Sequence, residues 1–211
     1  MNFIVFEGQL GAGKTMGAVV FANYVKSLSP DVELYSNFGM YHSRPFNSLY
    51  DFFDCAQNFS SVVVLDEAHV DLDARSFNTN HVKFLSMTSF YLRKIRTTFI
   101  MTSPLFENLD SRIRGITNML VKVTNGKKYF YYDCYDVQSE RFLKTMKLSK
   151  EKAYRLNLYD TNAIVSPIEM PANKQEFDLF LDDLKRKSEE YYDRGQAEGE
   201  RLQPLDVAGF M

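Results

Sequence analysis

Eight residues near the N-terminus, Gly8-Gln9-Leu10-Gly11-Ala12-Gly13-Lys14-Thr15, restrict the folds open to this chain more than anything after them. The spacing Gly-x4-Gly-Lys-Thr does its chemistry only between a strand and a helix. Residues 2–6 form a short apolar run that suits a buried strand. From Lys14 to about Ser27, apolar and small residues continue without proline, as in a buried helix that ends near Ser29-Pro30. In that setting Gly8, Gly11 and Gly13 let successive N–H groups turn inward at the positive end of a helix, making a nest for phosphate oxygens. Lys14 adds a mobile charge for the β- and γ-phosphates, and Thr15 offers a hydroxyl to Mg²⁺, a hard ion that prefers oxygen. The expected ligand is a nucleoside triphosphate with Mg²⁺. A ligand-free glycine bend fits poorly with four motif positions and the local pattern in agreement.

The second half of such a site is looked for at the end of an apolar strand. Val62-Val63-Val64-Leu65 is a continuous run of the kind buried on both faces of a parallel sheet, and it stops at Asp66-Glu67. Asp66 is placed to hold Mg²⁺ through its waters, and Glu67 to orient and deprotonate an attacking water. An acid pair at a strand end also arises by chance. Its pairing with an upstream phosphate loop favours the functional reading, and Glu67 favours hydrolysis over simple nucleotide holding, with another strand between those bearing Lys14 and Asp66.

Strand and helix alternate through the rest of the first 115 residues. Strands are expected at 32–35 and 97–101, and helices at 46–57 and 81–94, with polar segments at 36–44 and 71–80. Runs at 119–123 and 129–135 flank Asn125-Gly126, a two-strand turn signal, so an antiparallel hairpin is expected at the sheet edge. The fold class is α/β: a phosphate-loop nucleotidase fold of the additional-strand type, with a mostly parallel central sheet and helices on both faces. Phe177, Phe180, Leu181 and Leu184 lie at helical spacing and mark the docking face of a C-terminal helix. The chain divides into residues 1–172, the nucleotide-binding domain, and 173–211, an acidic helix and tail with six basic against ten acidic residues, fraying beyond about 192.

Composition excludes several classes. A net charge of −2 over 211 residues gives no global basic field, so any DNA contact must be local. Cys55 and Cys134 have no disulfide-scaffold, zinc or redox spacing, and read as reduced thiols. No run approaches the ~18 apolar residues of a membrane helix, and no leader precedes the first strand, so a soluble, unprocessed chain is expected. His42, His69 and His81 lack metal-site spacing.

Three further groups stay open. Thr102, in Thr102-Ser103-Pro104, reads equally as a sensor of the γ-phosphate or lytic water and as an ordinary strand-end threonine. Arg93, Arg96, Arg112 and Arg114 read either as surface charges or as an arginine offered to a neighbour's γ-phosphate, with Arg112 and Arg114 the candidates named. Tyr129, Tyr131, Tyr132 and Tyr135 read as the filling of a sheet face in preference to a base-stacking surface.

Residues 8–15, 62–69 and 90–114 together resemble the zonula-occludens-toxin-like ATPases. They also resemble the genome-packaging ATPases of tailless, membrane-containing, tectivirus-like phages; both groups lie in the FtsK and HerA class of DNA pumps. The likeness covers roughly residues 1–125, with a weaker echo at Tyr159-Asp160-Thr161. It implies an ATP- and Mg²⁺-dependent motor that drives double-stranded DNA into a capsid as a homo-oligomeric ring completed by a neighbour's arginine. Capsid or membrane vertex proteins would be its partners, and the virion or host cytoplasm its place. Two alternatives stand beside it: within the same class an assembly or export ATPase, and from another class a nucleotide-gated scaffold, against which Glu67 argues. Lack of a membrane helix favours the packaging branch. Thr102-Ser103 departs from the family's Gln sensor, and Lys94 with Arg96, or Lys127 with Lys128, are the candidates for gripping DNA.

Overall fold

The computed structural model describes residues 2–67 and 79–197. In chain order these form β1 (Phe3–Glu7), α1 (Lys14–Leu28), β2 (Val32–Ser36), β3 (Arg44–Pro45), a 3-10 turn (Leu49–Asp51) running into α2 (Phe52–Cys55), β4 (Ser60–Leu65) and α3 (Thr79–Ser89). There follow β5 (Thr97–Ser103), α4 (Ser111–Ile116), β6 (Met119–Asn125), β7 (Tyr129–Asp136), β8 (Arg141–Ser149), α5 (Lys150–Leu156) and α6 (Lys174–Ala197). His69, the segment 71–78 and the tail from 198 lie outside the described residues.

One eight-stranded sheet runs in the order β3-β2-β4-β5-β1-β6-β7-β8. Every pairing from β3 to β6 is parallel, and β6-β7-β8 are antiparallel. The expected hairpin is therefore present and turns at Gly126, whose N–H donates to the Tyr129 carbonyl at 2.9 Å. β5 lies between the strand of the phosphate loop and the strand of Asp66, which is the additional-strand arrangement.

Val62, Val63, Val64 and Leu65 are fully buried because helices cover both sheet faces. Burial of each such side chain contributes roughly 1.5–3 kcal/mol, and it pins the register that sets Asp66 at the sheet edge. On one side Met16, Val19, Phe21 and Val25 of α1 pack over Ile4, Phe6, Val64 and Ile100. On the other, Phe84 of α3 and Phe177 and Phe180 of α6 join Phe3, Val5, Phe99 and Met101. Phe84 and Phe177 stack at 4.2 Å, and Leu184 is fully buried, so the helical face legible in the sequence docks on the sheet's own core.

Several boundaries differ from the sequence reading. The expected helix at 46–57 is only the turn and α2, because Ser48 and Asp51 form a capping box that starts a short local turn. The helix expected to reach Lys94 ends at Ser89, and 90–96 is a chain of turns. β3 and β8 were not expected from the sequence. β8 is an outer strand with an alternating, largely exposed pattern, held by its pairing to β7.

Candidate functional site

The parallel register brings three strand ends to one edge of the sheet. Phe6 of β1 pairs with Thr102 of β5, and Leu65 of β4 pairs with Met101, so the residues just beyond β1 and β4 flank the end of β5. The chain leaves β1 through Gly8, whose N–H donates to the Ser103 carbonyl at 3.3 Å, and loops into α1. Gly11 has φ +72° and Gly13 φ +99°. Gly13 is the N-cap of α1, without a side-chain cap, so the first-turn N–H groups face the loop with no intrahelical acceptor. A Cβ on Gly13 would sit 2.6 Å from the Phe130 ring, so glycine is required there by conformation and by contact. The loop is braced from the hairpin: Asn125 Nδ2 donates to the Gly11 carbonyl at 2.9 Å, and the Tyr132 hydroxyl to the Gly13 carbonyl at 3.1 Å.

Across the cleft, Asp66 gathers hydroxyls. Thr15 Oγ1 lies 2.9 Å and 3.0 Å from its two carboxylate oxygens, and Thr102 Oγ1 donates to Oδ1 at 2.6 Å. Thr102 Oγ1 also accepts from the Glu67 N–H at 3.1 Å. Glu67 adopts φ +50°, so the chain turns off the strand direction and its exposed side chain lines the cleft. A left-handed, non-glycine residue costs on the order of 1–3 kcal/mol and persists only where neighbours hold it. Here the Thr102 hydroxyl holds its N–H.

Asn37 is a site residue that sequence reading missed. It is 3% exposed, accepts from the Asp66 N–H at 2.9 Å, and donates to the carbonyls of Asp66 at 3.3 Å and Ser166 at 3.2 Å. A lone asparagine after a strand carries no periodic or motif signal. Also missed as cleft residues were Phe130 and Tyr154; Tyr159, noted in the sequence only for the weaker echo, lines the cleft with them. The cleft measures about 410 Å³ and is lined by Asp66, Glu67 and Thr102, by Lys14 and Thr15, and by those three rings.

Electrostatics suit an anion. Burial pushes the Lys14 ammonium below the usual lysine range, while the carboxylates of Asp66 and Glu67 pull the other way. Its Nζ donates to the Gln9 carbonyl at 3.1 Å, a solvent-side bond that a phosphate oxygen can replace. Burial, then the nearby Asp66, push the Tyr159 hydroxyl up, so it stays a neutral donor. The donor set of Thr15 and Asp66, oxygen only and about 3 Å apart, fits a hard divalent cation that keeps most of its waters.

Of the sequence candidates, Gly11, Gly13, Lys14, Thr15, Asp66, Glu67 and Thr102 all line this cleft, together with Leu10. Gly8, Gln9 and Ala12 complete the loop, the Ala12 N–H donating to the Gln9 carbonyl at 3.0 Å. Arg112 and Arg114 do not line it. Arg112 is paired with Asp110 at 2.9 Å, and Arg114 has a buried Nε without a hydrogen-bond partner. Arg96 is neither a trans arginine nor a DNA grip. It is 8% exposed, precedes the opposite end of β5, donates to the carbonyls of Ala56, Asn58, Phe59 and Lys94, and lies 3.8 Å from the Tyr191 ring. The tyrosine run also divides by strand alternation: Tyr132 is core, whereas Tyr129 and Tyr131 are each 37% exposed.

No family model matches the chain, and no curated relative does. Among solved structures it is similar to the N-terminal domain of zonular occludens toxin from Neisseria meningitidis, at 17% identity and TM-score 0.53, over 76% of this chain and 100% of that one. It is also similar to a second solved structure, an isolated ATPase domain, at 12% identity and TM-score 0.51, over 72% and 82%. The fold is that of a P-loop NTPase. A weaker likeness is to B204, the DNA-packaging ATPase from Sulfolobus Turreted Icosahedral Virus, at 12% identity and TM-score 0.49 over 68% and 96%. Among the described residues, no helix of this P-loop NTPase fold is long and apolar enough to cross a membrane.

Proposed function

We propose that the protein hydrolyses ATP with Mg²⁺ and uses the cycle to move DNA. The observation that carries the hydrolytic reading is the cluster at the end of β4 and β5, where Asp66 is within 3.0 Å of the Thr15 hydroxyl and Glu67 is held at its N–H by Thr102. The loop N–H groups and Lys14 bind the phosphate chain. Thr15 and Asp66 would hold Mg²⁺, which when bound neutralises charge on the β- and γ-phosphates. Glu67, whose side chain lines the cleft, would orient a water and take its proton. Thr102 joins metal side and water side, since one hydroxyl touches both Asp66 and the Glu67 backbone. Loss of the γ-phosphate would therefore be felt at the end of β5.

The work done with that energy is read from the family resemblance: translocation of double-stranded DNA into a capsid by a homo-oligomeric ring. Because Arg112 and Arg114 do not line their own subunit's cleft, a catalytic role for either is open only towards a neighbour's nucleotide. The chain is proposed to divide into the 1–172 nucleotide-binding domain and the 173–211 acidic helix and tail, with α6 packed into that domain's core through Phe177, Phe180 and Leu184. The test is the ATPase rate with and without duplex DNA at low and moderate salt, beside Lys14→Ala. Stimulation that weakens with salt and disappears in the variant supports the motor. Hydrolysis indifferent to DNA favours the export ATPase, and nucleotide binding without turnover favours a scaffold.

A further inference from the structure

Strand β7 has two different faces. Phe130 and Tyr132 point towards the phosphate loop and α1, while Tyr129 and Tyr131 point to the opposite face, where each is 37% exposed. On that outer face Tyr135 and Phe142 follow, their rings 5.5 Å apart, with Phe142 54% exposed. Lys147 lies 5.6 Å from the Tyr129 ring and Lys122 5.6 Å from the Tyr135 ring. Lys127 and Lys128 are exposed at the hairpin tip. The acids nearby are engaged: Asp133 accepts from the Thr145 hydroxyl, and Glu7, half-buried at the β1 edge, accepts from the Phe106 N–H and lies near Lys122.

We propose that this outer face of β6, β7 and β8 binds a single strand of nucleic acid, with bases on Tyr129 and Tyr131 and phosphates on the lysines. Exposed aromatic rings interleaved with lysines offer both halves of a nucleotide a partner, which an apolar protein segment or an acidic peptide would use only in part. Spacing selects the strand state. The Tyr129 and Tyr131 rings are 6.4 Å apart, about twice the ~3.4 Å rise per nucleotide of a stacked strand. Successive bases meet both rings only when unstacked from one another, which an intact duplex does not allow. A duplex motor would engage this face where strands part, at an open end. Position adds a consequence: the residues alternating with Tyr129 and Tyr131 contact the phosphate loop, and Asn125 at the same tip bonds to Gly11. A strand held on one face therefore bears on the nucleotide nest through a single β-strand.

The test measures anisotropy of a labelled oligothymidylate of about 16 nucleotides and of a duplex of equal length, without nucleotide, against the full chain. The expected result is tighter binding of the single strand. Tyr129→Ala and Tyr131→Ala should each weaken it roughly 5- to 150-fold, and Tyr→Phe at either position should restore it. Lys127→Gln with Lys128→Gln, at the exposed tip where folding is insensitive, should lower the salt slope by about 0.7 per lysine. Lys14→Ala should bind the strand as the unaltered chain does, so this site succeeds or fails separately from the ATPase reading. Tighter duplex binding overturns the proposal, as does strand binding unchanged in the alanine variants or a salt slope unchanged in the lysine variant.

Discussion

Replacing Asn37 by leucine keeps the side chain's approximate size and removes three hydrogen bonds. The bond from the Asp66 N–H at 2.9 Å is well formed, and the two donated to the carbonyls of Asp66 and Ser166, at 3.3 Å and 3.2 Å, are at the weak end. A typical bond contributes about 1 kcal/mol net, and a part-buried N–H left without a partner adds about 1–3 kcal/mol. Asn37→Leu should therefore destabilise the chain by about 3 kcal/mol. At ~2–4 °C per kcal/mol for a chain of this size, that is a fall in Tm of roughly 6–12 °C. The same loss frees the Asp66 backbone, so the metal-side carboxylate should wander while the phosphate nest stays intact. Calorimetry gives the first effect. Titration of a fluorescent ATP analogue across Mg²⁺ concentrations gives the second, expected as a higher Mg²⁺ midpoint with little change in Mg²⁺-free affinity. A Tm within about 1 °C of the unaltered chain, with an unchanged Mg²⁺ midpoint, would mean that Asn37 does not hold Asp66 in place.

Other consequences follow from burial. Burial holds the Lys14 ammonium low, so this group's effect on stability is unfavourable at neutral pH and lifts as pH rises from its lowered value to the ordinary lysine value. Lys14→Met should raise the nucleotide-free Tm while abolishing the rise on adding ATP; a lower nucleotide-free Tm contradicts this. Burial pushes the Glu7 carboxyl up, partly offset by the Phe106 N–H and Lys122. Its stabilising effect is complete below the ordinary carboxylate value and is lost as pH rises through the raised one. Glu7→Gln keeps an acceptor for Phe106, so it should melt higher than the parent at pH 7, with the gap closing on acidification; a pH-independent gap contradicts the cause. Phe177→Ala opens the stack with Phe84 and should cost about 3–5 kcal/mol in urea unfolding, whereas Leu179→Ala, exposed on the same helix, should stay within about 0.5 kcal/mol. Equal effects would mean that α6 is not docked by its apolar face.

The parts of this molecule that could be read from sequence are those where one physical constraint acts over consecutive residues. The glycines of the loop, the β-branched run of β4 and the apolar stripe of α6 each repeat one requirement several times. Asn37 does not: its role depends on Asp66 and Ser166, which come 29 and 129 positions later. Tyr154 and Tyr159 likewise reach the cleft only because β6, β7 and β8 carry the chain back past the loop. β8 was hidden because its lysines and apolar residues alternate on an outer strand that takes its order from β7. Arg96 looked like a free cation, yet four carbonyls surround it, an arrangement created by turns that no local pattern marks. The tyrosines were read as one group, although strand alternation gives neighbours opposite surroundings.

In the proposed mechanism Glu67 activates the water that cleaves ATP bound on Lys14, Thr15 and Asp66. Its most direct test is Glu67→Gln, with Mg·ATP affinity and single-turnover hydrolysis measured on one preparation. Affinity should stay within about threefold of the unaltered chain, because Glu67 is not among the residues that hold the phosphates or metal. Turnover should fall by about 10²- to 10⁴-fold, the range for loss of a general base. Hydrolysis at the unaltered rate in Glu67→Gln, or none in the parent chain with ATP bound, would contradict this mechanism.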